Sequence, residues 1–108
     1  MIARIWHGIT SLEKFQPYTE FLRRVAVPDY KKTAGFKGLT FLRQVKDTEA
    51  HFTLITYWTD IEAIKEFAGQ EFRRAKYYPE DEDFLLEFEE YVEHHEVFSL
   101  DVIGMHGE

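Results

Sequence analysis

Between Ala50 and Thr59 the chain reads AHFTLITYWT, a run that is apolar on both faces of an extended strand. Phe52, Leu54 and Trp58 fall on one side, Ile55 and Tyr57 on the other. A strand that is apolar on both sides must be covered twice. The run passes straight into a helix signal over Asp60–Ala68. Thr59 and Glu62 have capping-box spacing, Asp60 is an alternative cap, and Gly69 supplies the stop. Ile61, Ile64 and Phe67 give that helix one apolar stripe, enough to cover a single face of a sheet. A second copy of the chain is the expected cover for the other face.

The remaining pattern places a first strand at Ile2–Gly8. A helical segment opens at Thr10 or Ser11, with Phe15, Tyr18, Leu22 and Val25 at helical spacing. Pro17 puts the start of the regular helix near itself, and Pro28 ends or kinks it. A strand at Leu39–Val45 and its return at Ala50–Thr59 form an antiparallel hairpin. After the Asp60–Ala68 helix, a shorter helical piece is predicted over Gln70–Tyr78, stopped by Pro79. Glu80–Glu89 reads as a further turn or two of helix, and Tyr91–Phe98 as the last strand. The order β-α-β-β-α-β is the ferredoxin-like split unit. It predicts one α+β domain over residues 1–98, with a four-stranded antiparallel sheet and helices on one side. The open side should carry Leu, Phe, Ile and Tyr and pack against a second copy, giving a homodimer. The apolar tail at 99–108 either crosses onto the partner subunit or frays.

Composition sharpens this picture. With 108 residues, of which 17% are aromatic, the chain holds more bulky apolar surface than one small core absorbs. A ligand pocket or a subunit interface is the expected use of the excess. All 13 Lys and Arg lie within residues 1–76, whereas 11 of the 20 acidic residues lie beyond them. No basic stripe dominates, which disfavours nucleic-acid binding. The chain has no cysteine, which excludes disulfides, thiolate metal sites and cysteine nucleophiles. No apolar run reaches membrane-spanning length, and a soluble cytoplasmic protein is expected.

Candidate chemistry is sparse. His94 and His95 are adjacent, and neighbours on a strand point to opposite faces, so they do not chelate one ion. Pairing each with Glu96 or Glu93 leaves two ligands, short of a metal site. Gly35-Phe36-Lys37-Gly38 matches neither common nucleotide fingerprint, and no nucleophile elbow is present. An aromatic set remains, spread over the first strand, the first helix, Trp58, Phe67 and the Tyr77-Tyr78 pair. Buried Tyr and Trp need polar partners, so Trp58, Tyr18, Tyr77 and Tyr78 are candidates for a cavity between sheet and helices that takes a flat apolar or aromatic ligand.

MIARIWHG, GFKGLTFLRQVKD, AHFTLITYWTDIEAIKEFAG and EYVEHHEVF together resemble the antibiotic biosynthesis monooxygenase family of dimeric α/β barrels, over residues 1–98. The resemblance implies a homodimer whose two sheets pack into a barrel. For several members it implies oxidation of phenolic or quinol substrates by molecular oxygen with no prosthetic group. In that chemistry a bound phenol loses a proton and passes an electron to oxygen in a dry pocket. His7, Tyr77 and Tyr78 are the catalytic candidates that follow. Trp6, Tyr18, Phe21, Trp58, Phe67 and His94 are the candidate substrate contacts, and no cofactor or metal is expected. The chain departs from the family pattern at three places. Phe67 stands where oxidising members carry tryptophan, Ala63 where they carry asparagine, and Lys76 nearest the histidine that ligates iron in the haem-degrading branch. A non-catalytic ligand-binding or regulatory homodimer is the competing reading. Isomerase or lyase chemistry on a hydroxy-aromatic acid, anchored by Arg4 or Arg73, is a third.

Overall fold

The computed structural model describes residues 1–102; Ile103, Met105 and His106 of the expected tail lie outside the described residues. The chain starts with β1 (Ile2–Ser11), longer by three residues than its sequence signal. A 3₁₀ turn at Leu12–Lys14 leads into a helical rod of three sections: α1 (Phe15–Phe21), a π turn (Leu22–Ala26) and α2 (Val27–Lys31). Pro17 sits in the first turn of α1, where its missing N–H is harmless. Pro28 would collide with the carbonyl four residues back in a regular helix. The wider π turn directly before α2 falls where that collision would occur, and the rod continues through Pro28.

β2 (Phe36–Lys46) and β3 (Glu49–Trp58) form the expected hairpin, with Asp47 in the left-handed region at φ 57° in its turn. Asp60 caps α3 (Ile61–Ala68) by accepting from the Ala63 N–H at 2.9 Å. Gly35 passes so close to α3 that a Cβ there would lie 2.5 Å from the Ala63 Cβ. The last strand, β4, covers only Glu93–Glu96.

The sheet order is β2-β3-β1-β4, with every neighbouring pair antiparallel. This is the ferredoxin-like arrangement read from the sequence. Register fixes the faces. Trp6 opposes Leu54, Arg4 opposes Thr56 and Phe41 opposes Leu54, so these side chains share the helix-covered face. There the core forms around Tyr18, Phe21, Leu22, Leu54, Trp58 and Ile64. The opposite face presents Ile5, Ile9, Leu42, Ile55 and Tyr57, with histidines and threonines between them. Among the described residues it carries no strand phenylalanine, contrary to the sequence expectation.

The chain after α3 also differs from expectation. Gln70–Tyr78 is irregular rather than helical, and Pro79–Asp83 is a single 3₁₀ turn. The reason is tertiary. The Arg4 guanidinium takes up the carbonyls of Phe72 and Arg74, and Arg74 bridges to Tyr91, so these peptide groups are spent outside a helix. No helix among the described residues is long and apolar enough to cross a membrane.

Candidate functional site

A cavity of about 20 Å³ lies between the sheet and the helical rod, with space for about one water molecule. β1 contributes Arg4 and Trp6, and β3 contributes Leu54 and Thr56. The rod contributes Tyr18, Leu22, Ala26 and Tyr30, α3 contributes Phe67, and the strap after it contributes Lys76, Tyr78 and Asp81. Period-2 alternation carries Arg4 and Trp6 inward together, while spacings of four along the rod stack Tyr18, Leu22, Ala26 and Tyr30 on one stripe.

Two carboxylates fasten the strap. Asp29, on α2, accepts from the Tyr78 hydroxyl at 2.6 Å and from Lys76 Nζ at 2.9 Å. Asp81 accepts from the Tyr18 hydroxyl at 2.9 Å and from the Tyr78 N–H at 2.7 Å. Burial alone would raise the Asp29 carboxyl, but hydrogen bonds from Tyr78, Lys76 and Lys32 hold it below its usual 3.8. Burial wins at Asp81 and raises it despite the bonds from Tyr78 and Tyr18. The phenols of Tyr18, Tyr30 and Tyr78 are all pushed up, chiefly by burial, so each stays protonated at neutral pH, and those of Tyr18 and Tyr78 donate to Asp81 and Asp29.

Arg4 is 3% exposed, and burial lowers its pKa to about 10. Its Nη1 donates to the Phe72 carbonyl and meets His94 Nε2 at 3.2 Å; Nη2 donates to the Arg74 carbonyl at 3.1 Å. Burial and the Arg4 charge press His94 down to about 4, so its ring is neutral and accepts from Arg4. Trp6 has an indole Nε1 that is buried without a hydrogen-bond partner. The Tyr77 hydroxyl lies close enough to that N–H for the contact to pull its pKa down against burial and Glu89, but the contact falls short of hydrogen-bond geometry, and the hydroxyl donates to the Glu89 carbonyl at 2.5 Å.

The residues expected at the site therefore separate. Trp6, Tyr18, Phe67 and Tyr78 line the cavity. Trp58 and Phe21 sit in the core; Trp58 is fully buried and donates from Nε1 to Thr56 Oγ1 at 2.8 Å. Tyr77 lies edge-on to Trp6 behind the cavity wall, with burial and Glu89 raising it to about 12. His94 reaches the site through Arg4. His7 points to the other face of the sheet, where Nδ1 lies 2.5 Å from Glu89 Oε2 and Nε2 lies 3.0 Å from His51 Nδ1.

Asp81, Tyr30 and Lys76 were not singled out as site residues from the sequence. Asp81 stands inside the run Pro79-Glu80-Asp81-Glu82-Asp83, and nothing in that run marks one carboxylate as inward-facing. Among the described residues no group of three or more His, Asp and Glu side chains is placed to hold a metal ion. The donors around the cavity do not fit a haem iron either. No histidine lines it, Lys76 is bound to Asp29 and the Phe67 carbonyl, and the Tyr78 hydroxyl is bound to Asp29.

No protein-family profile matches the chain, and no curated protein matches it significantly. Solved structures do. A candidate antibiotic biosynthesis monooxygenase from Bacillus cereus superposes with a TM-score of 0.61 at 18% identity, covering 94% of this chain and 96% of its own. SnoaB, a cofactor-independent oxygenase from Streptomyces nogalater, gives 0.55 at 17% identity, with 95% and 96% covered. The haem-degrader MhuD from Mycobacterium tuberculosis, with two haems bound in its active site, gives 0.54 at 24% identity, with 94% and 99% covered. Such low identities carry architecture and not activity. The chain has the antibiotic biosynthesis monooxygenase fold.

Proposed function

We propose that this chain is a homodimeric, cofactor-independent monooxygenase that oxidises a small phenolic or quinol-type aromatic substrate in the cavity between sheet and rod. The supporting observation is a cavity walled by Trp6, Tyr18, Tyr30, Phe67 and Tyr78 with one carboxylate, Asp81, on its lining. A substrate ring displaces the strap fastened by Asp29 and takes the place of its side chains. The substrate hydroxyl gives its proton to Asp81, and the phenolate gives one electron to dioxygen. The phenoxyl radical and superoxide join at a ring carbon, the peroxide anion takes back the proton held by Asp81, and the hydroperoxide loses water together with the hydrogen of that ring carbon to leave a carbonyl. One phenol and one O₂ thus yield one quinone and one water. Exclusion of water keeps the radical pair together. The sheet face with Ile5, Ile9, Leu42, Ile55 and Tyr57 is the surface proposed to meet a second copy. Phe98, 96% exposed, with Leu100 and Val102 is proposed to cross onto that partner.

Oxygen uptake by metal-free, cofactor-free protein, measured over a panel of hydroquinones, naphthols and anthrones, tests the reading. Uptake of one O₂ per product is expected, and Asp81→Asn should slow it on the order of 100-fold or more. A folded protein that consumes no oxygen above the uncatalysed rate with any of them overturns the oxygenase reading. One observation favours the alternative, a ligand-binding homodimer without catalysis. Every tyrosine on the cavity is raised away from neutrality, which leaves Asp81 alone as a proton acceptor. Saturable binding of an aromatic compound with no oxygen uptake would select it.

A further inference from the structure

The charge left without a partner around the cavity is positive, and one of its buried donors is unpaired. Among the described residues no carboxylate lies within ion-pair distance of the Arg4 guanidinium, although Arg4 is 97% removed from solvent. Two peptide carbonyls and the neutral His94 ring take three of its roughly five N–H groups. They solvate the charge without cancelling it. An isolated buried cation is expensive, and an anion brought beside it recovers much of that cost. Trp6 adds the second, independent sign. It is 9% exposed, it lines the same cavity, and its indole N–H has no partner. A buried N–H in that state is stabilised by any acceptor that arrives.

The acceptors already present are occupied. Asp81 holds the Tyr18 hydroxyl on Oδ1 and the Tyr78 N–H on Oδ2, and Asp29 spends its oxygens on Tyr78, Lys76 and Lys32. Of the charged side chains on the lining, Arg4 and Lys76 outnumber Asp81. The remaining wall, from Leu22, Tyr30 and Phe67, is flat and apolar. We infer that the cavity, enlarged from its resting 20 Å³ by outward movement of the strap of residues 76–81, selects an aromatic acid, taking its carboxylate between Arg4 and the Trp6 indole N–H and its ring against Tyr30 and Phe67. This rests on the reading of the cavity as the ligand site and is independent of whether oxygen is then reduced there. It narrows the substrate from phenols in general to phenols that carry a carboxylate at the far end from the hydroxyl presented to Asp81.

The two indole N–H groups make the test internal to the protein. Trp58 Nε1 is already bonded to Thr56 Oγ1, whereas Trp6 Nε1 is free. The full-length chain is titrated without oxygen with benzoate, 4-hydroxybenzoate and the isosteric neutral benzamide, while ¹H–¹⁵N spectra follow both indole resonances. The acids are expected to move the Trp6 resonance saturably and leave that of Trp58 in place, and to bind at least tenfold more tightly than the amide. Arg4→Gln should abolish the preference for the acid. Because Arg4 also holds the Phe72 and Arg74 carbonyls, Trp6→Phe provides a second variant that keeps an aromatic ring at this position while removing the indole N–H, and its effect on benzamide measures what the smaller ring costs. Calorimetry on it should show benzoate weakened by tenfold or more beyond the change for benzamide. Equal binding of acid and amide at the cavity overturns the carboxylate inference and leaves the cavity as a ligand site. Failure of all three compounds to perturb Trp6 overturns both.

Discussion

Replacing Gly8 by alanine probes the packing that shapes the cavity. Gly8 is buried on β1, two residues from Trp6 and on the same face, and the Trp6 ring lies over it. A Cβ at position 8 would stand 2.3 Å from Trp6 Cη2 and 3.0 Å from both Cζ2 and Cζ3. Ordinary contact begins near 3.4 Å, so the ring must retreat by roughly 1 Å into an interior packed without spare room. Overpacking of this kind costs about 1–3 kcal/mol. Against it stands the usual gain from removing a strand glycine, about 0.5–1 kcal/mol. The net expectation is a loss of roughly 0–2.5 kcal/mol, which for 108 residues lowers the melting temperature by up to about 10 °C. Calorimetric melting measures the shift, and the Trp6 indole resonance reports the displaced ring. A variant as stable as the parent, or more stable, with the Trp6 resonance unmoved, would refute the placement of the ring against β1 and the cavity shape that follows from it.

Other consequences are simpler. Asp60→Ala removes the side-chain acceptor for the Ala63 N–H and should cost about 1 kcal/mol in a thermal melt, read as a drop of roughly 4 °C. Tyr78→Phe removes the 2.6 Å bond to Asp29 and should speed amide hydrogen exchange over residues 76–81 while leaving that of β3 unchanged. His94 titrates at about 4 in the folded chain against 6.5 unfolded, so between those values the unfolded chain binds more protons. Stability should therefore rise from pH 4 to 6.5 and level off above, and His94→Gln should flatten that part of the profile measured by urea unfolding.

Local signals carried most of the fold. The hairpin, the Asp60 cap and the Gly69 stop are decided by residues adjacent in sequence; β3 and α3 stand within a residue of their predicted places, and β2 starts three residues earlier than predicted. Residues 70–92 were misread because their conformation is set from a distance. Arg4 takes the carbonyls of Phe72 and Arg74, and Tyr18 and Asp29 seat the strap at Asp81 and Tyr78. None of those partners lies within forty residues of the segment it organises. The site shows the same division. Trp6 and Trp58 stand on equivalent parity of neighbouring strands and look alike in sequence. The line taken by the helical rod leaves Trp6 on the cavity, whereas Tyr30, Phe36 and Phe67 close over Trp58. Arg4 was visible as a possible anchor, but its burial without a carboxylate emerges only when β1, β4 and the strap come together.

The most direct test is a crystal structure of the chain grown with a saturating aromatic acid. Density for the ring is expected on the helix side of the sheet, against Tyr30 and Phe67, with the carboxylate at Arg4 and Trp6 and the strap of residues 76–81 moved outward. Density only in a second groove, lined by Thr19, Leu22 and Arg23 of the rod and by Phe41 and Arg43 of β2, or on the opposite face near His7 and His51, with the rings around Trp6 still interlocked, would show that the space between sheet and rod is ordinary core.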